Sequence, residues 1–141
     1  MSIKVKIESK VTTKTKSAIK IYEANVVRHL NRVANHFKNS IQISMRNTPK
    51  QGFVREDGHV TSVAPNPPAI DTGTLSNSLQ VNPAGRSKMF SSVGTGIDYA
   101  VELQLIKQRN FMGKDSPARK DTVNFSNKIA KDIKINQAKL R

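Results

Sequence analysis

The sequence predicts an α+β domain in which a long N-terminal amphipathic helix and a C-terminal helix pack on a small antiparallel sheet, with a long proline-rich loop between them. Two observations carry this prediction. Eight apolar residues from Ile19 to Met45 recur at helical spacing, and a second helical stripe lies near the C-terminus. Between them, two short runs flank an Asn82-Pro83-Ala84-Gly85 turn signal, the pattern of paired strands.

In the first element, Ile3, Val5 and Ile7 alternate with Lys4, Lys6 and Glu8, which predicts a short edge strand at the head of a basic N-terminal segment, residues 1–17. Ser17 is placed to cap the helix that follows. Ile19, Tyr22, Val26, Leu30, Val33, Phe37, Ile41 and Met45 then recur about every 3.7 residues, one face of an α-helix. Thr48-Pro49 ends it, because proline lacks a backbone donor and biases the preceding residue away from helical geometry.

Residues 48–73 hold four of the six prolines and three of the seven glycines, including Ala64-Pro65-Asn66-Pro67-Pro68. No regular element is expected there. A loop longer than roughly 12–15 residues is uncommon unless it functions or is disordered, so this one is either an interaction arm or a slack tether. Gly73 is expected to take a positive φ as the chain leaves the loop, and Asp71 to hydrogen-bond the backbone ahead of it. Thr74–Val81 and Met89–Val93 follow as the two strands, with Gly94-Thr95-Gly96 ending the second. Tyr99–Gln104 reads equally as a helical turn or a strand. Ser116-Pro117 supplies a cap and a first helical residue. Ala118, Thr122 or Val123, Phe125, Ile129 and Ile133 then form the apolar face of a C-terminal helix of about five turns, ending in a basic tail at 136–141.

The 141 residues suit one domain. Only 36% are hydrophobic, 5% are aromatic and none is Trp, so the core is thin and partner subunits are expected to supply contacts. Lys and Arg number 24 against 10 Asp and Glu, a net charge of +14. The surplus sits at the ends, since residues 51–100 alone are slightly acidic. The expected partner is therefore negative. Without Cys there is no disulfide, zinc-thiolate site or thiol catalysis. No apolar run spans a bilayer and no secretory leader is visible, so the expectation is a soluble protein made in the cytosol with no membrane partner.

Catalytic signals are weak, and no enzyme activity, cofactor or metal is expected. His29 and His36 lie two helical turns apart, about 10 Å, too far to share a metal, and are read as solvated helix histidines. His59 beside Glu56 and Asp57 could touch a cation but reads more simply as an exposed polar loop. Lys4, Lys6, Lys10, Lys14, Lys16 and Lys20 could meet DNA phosphates, acidic subunits or only water. No zinc-finger spacing or aromatic RNA-binding motif accompanies them, which disfavours a base-specific regulator.

The run from Ser62 to Leu79, with Pro65, Pro67, Pro68, Asp71, Thr72, Gly73 and Leu75, resembles the proline loop, TG-x-L and Ser-aliphatic signature of tailed-bacteriophage neck proteins, the head–tail joining or tail-completion family. Val93-Gly94 followed by Tyr99, Ala100 and Glu102 resembles that family's glycine-ended strand and Tyr-Ala-x-x-Glu segment. Arg109-Asn110-Phe111-Met112 resembles its Arg-Pro-Phe-Met segment before a C-terminal helix. Asn66 replaces the usual Gly of the loop, Gln104-Leu105 the usual Gly-Thr, and Asn110 the usual Pro.

The resemblance implies a structural protein of the virion neck, synthesised in the host cytoplasm. It would form a homo-oligomeric ring around the DNA channel and meet the portal or connector and the tail proteins. Phe53, Val54 and the Pro-TG residues would then form a subunit-interface loop. The alternative is a sequence-neutral basic nucleic-acid-binding protein.

Overall fold

A computed structural model describes the backbone of residues 2–139 and the side chains of residues 14–132. Its order is α1 (Ser2–Asn47), α2 (Thr74–Asn77), β1 (Gln80–Asn82), β2 (Ser92–Gly94), α3 (Tyr99–Val101), a π-helical turn (Glu102–Ile106) and α4 (Pro117–Lys139). The α+β class is as expected, with two long helices and a small antiparallel sheet.

The spine is α1. No Gly or Pro occurs before Pro49, so nothing interrupts its backbone ladder. This removes the strand expected at Ile3–Ile7 and the cap expected at Ser17, since both positions are helical. A lone strand must find donors and acceptors on a neighbour, whereas a helix satisfies its own. Thr48 closes the far end by donating its hydroxyl to the Ser44 carbonyl at 2.7 Å.

Helix α4 runs antiparallel to α1. Ala118 joins the core beside Ile41 and Met45, Asp121 meets Ser40 and His36, and Phe125 stacks on His36. It starts as expected, with the Ser116 hydroxyl accepting the Arg119 amide at 3.2 Å. Thr122 is half-buried while Val123 is exposed, which settles which of the two lies on the packed face. The helix continues to Lys139, through most of the stretch expected to be a tail, because no Gly or Pro stops it. The side chain of Ile133 lies outside the described residues.

The sheet is shorter than expected. Gln80 pairs with Gly94, Val81 with Val93 and Asn82 with Ser92. The first half of the expected Thr74–Val81 strand is instead one helical turn, entered through Gly73 at φ 82° and followed by Ser78, whose hydroxyl donates to the Leu75 carbonyl. Ser and Asn side chains that bond nearby backbone favour such a turn over a strand. The connection between the strands is held to α1 at Asn31. Its amide donates to the Ala84 carbonyl and its carbonyl accepts the Ala84 amide.

The core gathers at the C-terminal end of α1, where Ile41, Met45, Leu75, Leu79, Ala100, Phe111 and Ala118 are buried together. Among the described residues, the stretch of α1 around Ile19 and Tyr22 has no such cover. Ile19 and Tyr22, the first two residues of the expected apolar face, are 49% and 70% exposed.

The contact between α1 and α4 carries a pH-dependent element. Asp121 accepts from the Ser40 hydroxyl and bonds His36 Nε2 at 2.8 Å, and His36 stacks on Phe125 with ring centroids 4.0 Å apart. The Ser40 hydroxyl, aided by His36, holds the Asp121 carboxyl below its ordinary value. A depressed carboxyl contributes stability above its unfolded pKa and loses it as pH falls through the folded one. Asp121→Asn should therefore destabilise the protein at pH 7 by no more than about 1 kcal/mol, since the carboxylate is largely exposed. The difference should vanish below the ordinary carboxylate range, as measured by urea unfolding across pH.

Candidate functional site

A cleft of about 940 Å³ opens at the core end of α1, between the proline loop and the segment Tyr99–Arg109. Its apolar floor includes Met45, Ile70, Leu75 and Leu103. Its rim carries Arg55, Asp57, His59, Asp71, Glu102 and Lys107.

The loop that forms one wall has two parts. Residues 52–61 make a small hairpin, in which Gly52 N–H bonds the Thr61 carbonyl at 2.7 Å and Thr61 N–H bonds the Phe53 carbonyl at 2.9 Å. Gly58, at φ 83°, turns its tip. The loop therefore contains regular pairing that its proline content does not suggest, because the prolines fall outside 52–61. Phe53 and Val54 project from the hairpin, 77% and 58% exposed. Residues 62–73 pack back on the domain. Ser62 and Pro67 are buried and Pro68 is half-buried, while Pro65 is exposed. Of the expected interface residues, then, Phe53, Val54 and Pro65 are free for a neighbour, and Pro67 belongs to the chain's own packing.

Asp71 differs from expectation in its partners. It bonds across to the hairpin, with Arg55 Nη1 3.0 Å from Oδ2 and His59 Nδ1 2.7 Å from Oδ1. Thr72 takes the local role instead, its hydroxyl accepting the Thr74 amide at 3.4 Å. Gly73 has the expected positive φ, and a Cβ there would stand 3.3 Å from Asn77 Nδ2.

The opposite wall begins with α3, which resolves Tyr99–Gln104 as helical. Ala100 is buried in the core, whereas Tyr99 and Glu102 face the cleft. Gln104, noted from the sequence only as a departure from the family's Gly-Thr, holds the next stretch in place. Its Oε1 accepts the Phe111 amide at 3.3 Å and the Met112 amide at 3.1 Å. Asn110 N–H bonds the Pro65 carbonyl at 3.1 Å, a bond that proline could not make, and Arg109 Nη1 bonds the Ser62 hydroxyl at 3.3 Å. These bonds tie the two walls together. Phe111, expected as a motif residue, is a core residue 1% exposed, and Leu75 is buried beside it.

The histidines are engaged differently from the sequence reading. His36 is stacked and hydrogen-bonded between the two long helices and only partly exposed. His29 is half-buried, with Nδ1 buried and unpartnered. His59 clusters with Asp57 and Asp71, its ligand atoms within 4.8 Å of theirs, while Glu56 is not in the group. All three are exposed, and Arg55 already occupies Asp71, so a cation there would compete with a guanidinium.

Among the described lysines, Lys14, Lys16 and Lys20 are exposed along α1. The side chains of Lys4, Lys6 and Lys10 lie outside the described residues. Among the described residues, no helix is long and apolar enough to cross a membrane. No family model, curated protein or solved structure matches this chain.

Proposed function

We propose that this chain is a structural subunit of a tailed-phage neck, assembling with its own copies into a ring that joins the tail to the head connector around the DNA channel. The observation that carries the reading is the convergence of the Pro-TG loop and the Tyr99-Ala100-Val101-Glu102 segment, 26 residues apart from Gly73 to Tyr99, on the two walls of one cleft. Each resembles the same family. The buried members Leu75, Ala100 and Phe111 build the scaffold, and the exposed Phe53, Val54, Pro65 and Tyr99 are left to meet other subunits. Two departures from the family pattern support the same arrangement: Asn110 bonds its wall to the proline loop at Pro65, and Gln104 holds the Phe111–Met112 stretch that follows.

The portal or connector and the tail proteins are the further partners of this reading, and the virion neck is its location. Disrupting the gene should leave filled heads and separate tails, seen by electron microscopy. Intact joined virions lacking the protein would overturn it.

The second reading, sequence-neutral nucleic-acid binding, draws on Lys14, Lys16 and Lys20 and on Arg28 and Arg32 farther along the same helix, all exposed. A ring that lets DNA slide needs weak contacts only. Duplex titration should show weak, sequence-neutral binding, its log–log salt slope about −0.9 per neutralised phosphate. Changing the three lysines to Gln should flatten that slope by up to about 3. Tight, salt-tolerant or sequence-selective binding would favour the second reading.

A further inference from the structure

The basic end of α1 and the segment following Ile97 present complementary surfaces that one chain cannot bring together. From Lys14 to Tyr22 there are three lysines and no acid. At 3.6 residues per turn, Ile19 and Tyr22 form a stripe with Lys14 and Ile21 on one side and Lys16 and Lys20 on the other. Ile19, Ile21 and Tyr22 are 49%, 65% and 70% exposed. From Asp98 to Ile106 there are two acids and no base; Lys107, next in the chain, forms an exposed ion pair with Glu102, Nζ 3.3 Å from Oε1. Here Val101, Leu105 and Ile106 are exposed, the last two on the π-helical turn, where Lys107 N–H reaches back to the Glu102 carbonyl. Such turns are frequent at functional sites.

Ala100 anchors this second surface in the core beside Ile41. Ile19 lies 22 residues before Ile41 on one uninterrupted helix, so about 33 Å of rigid rod separates the two surfaces. They cannot meet within a chain.

We infer that the helix segment around Lys14–Tyr22 of one copy docks on the Asp98–Ile106 ridge of a second copy, head to tail. The inference rests on the ring reading and supplies its contact. Such a contact uses two different patches, so it propagates and closes into a ring when the rotation permits. DNA would satisfy the lysines but leave Ile19, Ile21 and Tyr22 in water. The ridge meets both: Asp98 stands opposite the lysines, Glu102 at the cleft rim exchanges its exposed Lys107 pair for one across the contact, and the exposed aliphatics lie against the stripe.

The absence of cysteine makes the test direct. Ala18→Cys lies at the edge of the stripe and Val101→Cys on the ridge, and both positions are exposed. The full chain carrying both changes, treated with a short bismaleimide in solution and in virions, should give a ladder of dimers, trimers and higher species. Mixed single-cysteine chains should give one heterodimer. Lys14, Lys16 and Lys20→Glu should abolish the ladder, as should Asp98 and Glu102→Lys, and combining the two sets should restore it. Higher oligomers by mass without this cross-link would overturn the contact and leave the ring standing. A product that stops at the dimer would overturn it as a head-to-tail contact. A chain monomeric at every concentration and missing from virions would remove the ring reading and the contact with it.

Discussion

Phe111→Ala is expected to remove about 3–5 kcal/mol of stability, the range for truncating a buried aromatic side chain. Domains of this size are stable by roughly 5–15 kcal/mol, so the change takes a large share of the total. The size of the effect follows from where Phe111 sits. It is 1% exposed and packs with Ile41 and Met45 of α1, Leu75 and Leu79 beside the sheet, Ala100 of the ridge and Ala118 of α4. The four helices α1 to α4 therefore all contribute to the cluster around its ring, with Val93 of β2 packed against it. The Phe111 amide stays bonded to Gln104 Oε1 after truncation, which keeps the backbone from collapsing into the void. Urea unfolding of wild type and variant, compared at unchanged m-value, measures the loss. A loss under about 1 kcal/mol would mean that the site collapses freely and that this cluster is not the core.

How much of this was legible in the sequence depends on whether the partner of each residue lies nearby in the chain. The long helix was legible from Ile19 to Met45 because one periodic stripe and Pro49 define it locally. The start of α4 was legible for the same reason, since Ser116 caps the residues immediately after it. The alternation of Ile3, Val5 and Ile7 misled, because three apolar residues fit a period of two by chance and no strand among the described residues pairs with them. The cleft was legible only in its parts. Asp71 finds its partners 12 and 16 residues back, at His59 and Arg55, and nothing in the Pro-rich composition signals that residues 52–61 form a hairpin to present them. His36 appeared solvated because its partners, Phe125 and Asp121, lie more than 80 residues away. Gln104 stood out only as a departure from the family pattern, and its role was not legible for a related reason: a lone amide side chain acquires meaning only once the chain turns back to offer it the Phe111 and Met112 amides.

Replacing residues 53–60 by two glycines is expected to separate folding from assembly. Gly52 and Thr61 already face each other, the Gly52 amide 2.7 Å from the Thr61 carbonyl, so a short turn can join them without moving the chain on either side. Phe53 and Val54 are mostly exposed, so their removal forfeits little burial. What the fold loses is the Arg55 and His59 bonds to Asp71, both at the surface, which together are worth about 1 kcal/mol or less. Ser62 and Pro67, which are buried, are kept, and a deletion running on through 68 would remove them and confuse the two effects. The shortened protein should therefore unfold within about 1–2 kcal/mol of wild type, while heads and tails made with it should fail to join. The hairpin has the form of a contact made in advance of its partner. Its Gly58 turn and paired backbone fix Phe53 and Val54 in place, so little conformational entropy remains to be lost when a neighbour covers them. Joined, infectious virions from the shortened chain would show that Phe53 and Val54 meet no partner. An unfolded product would show that the hairpin serves its own domain.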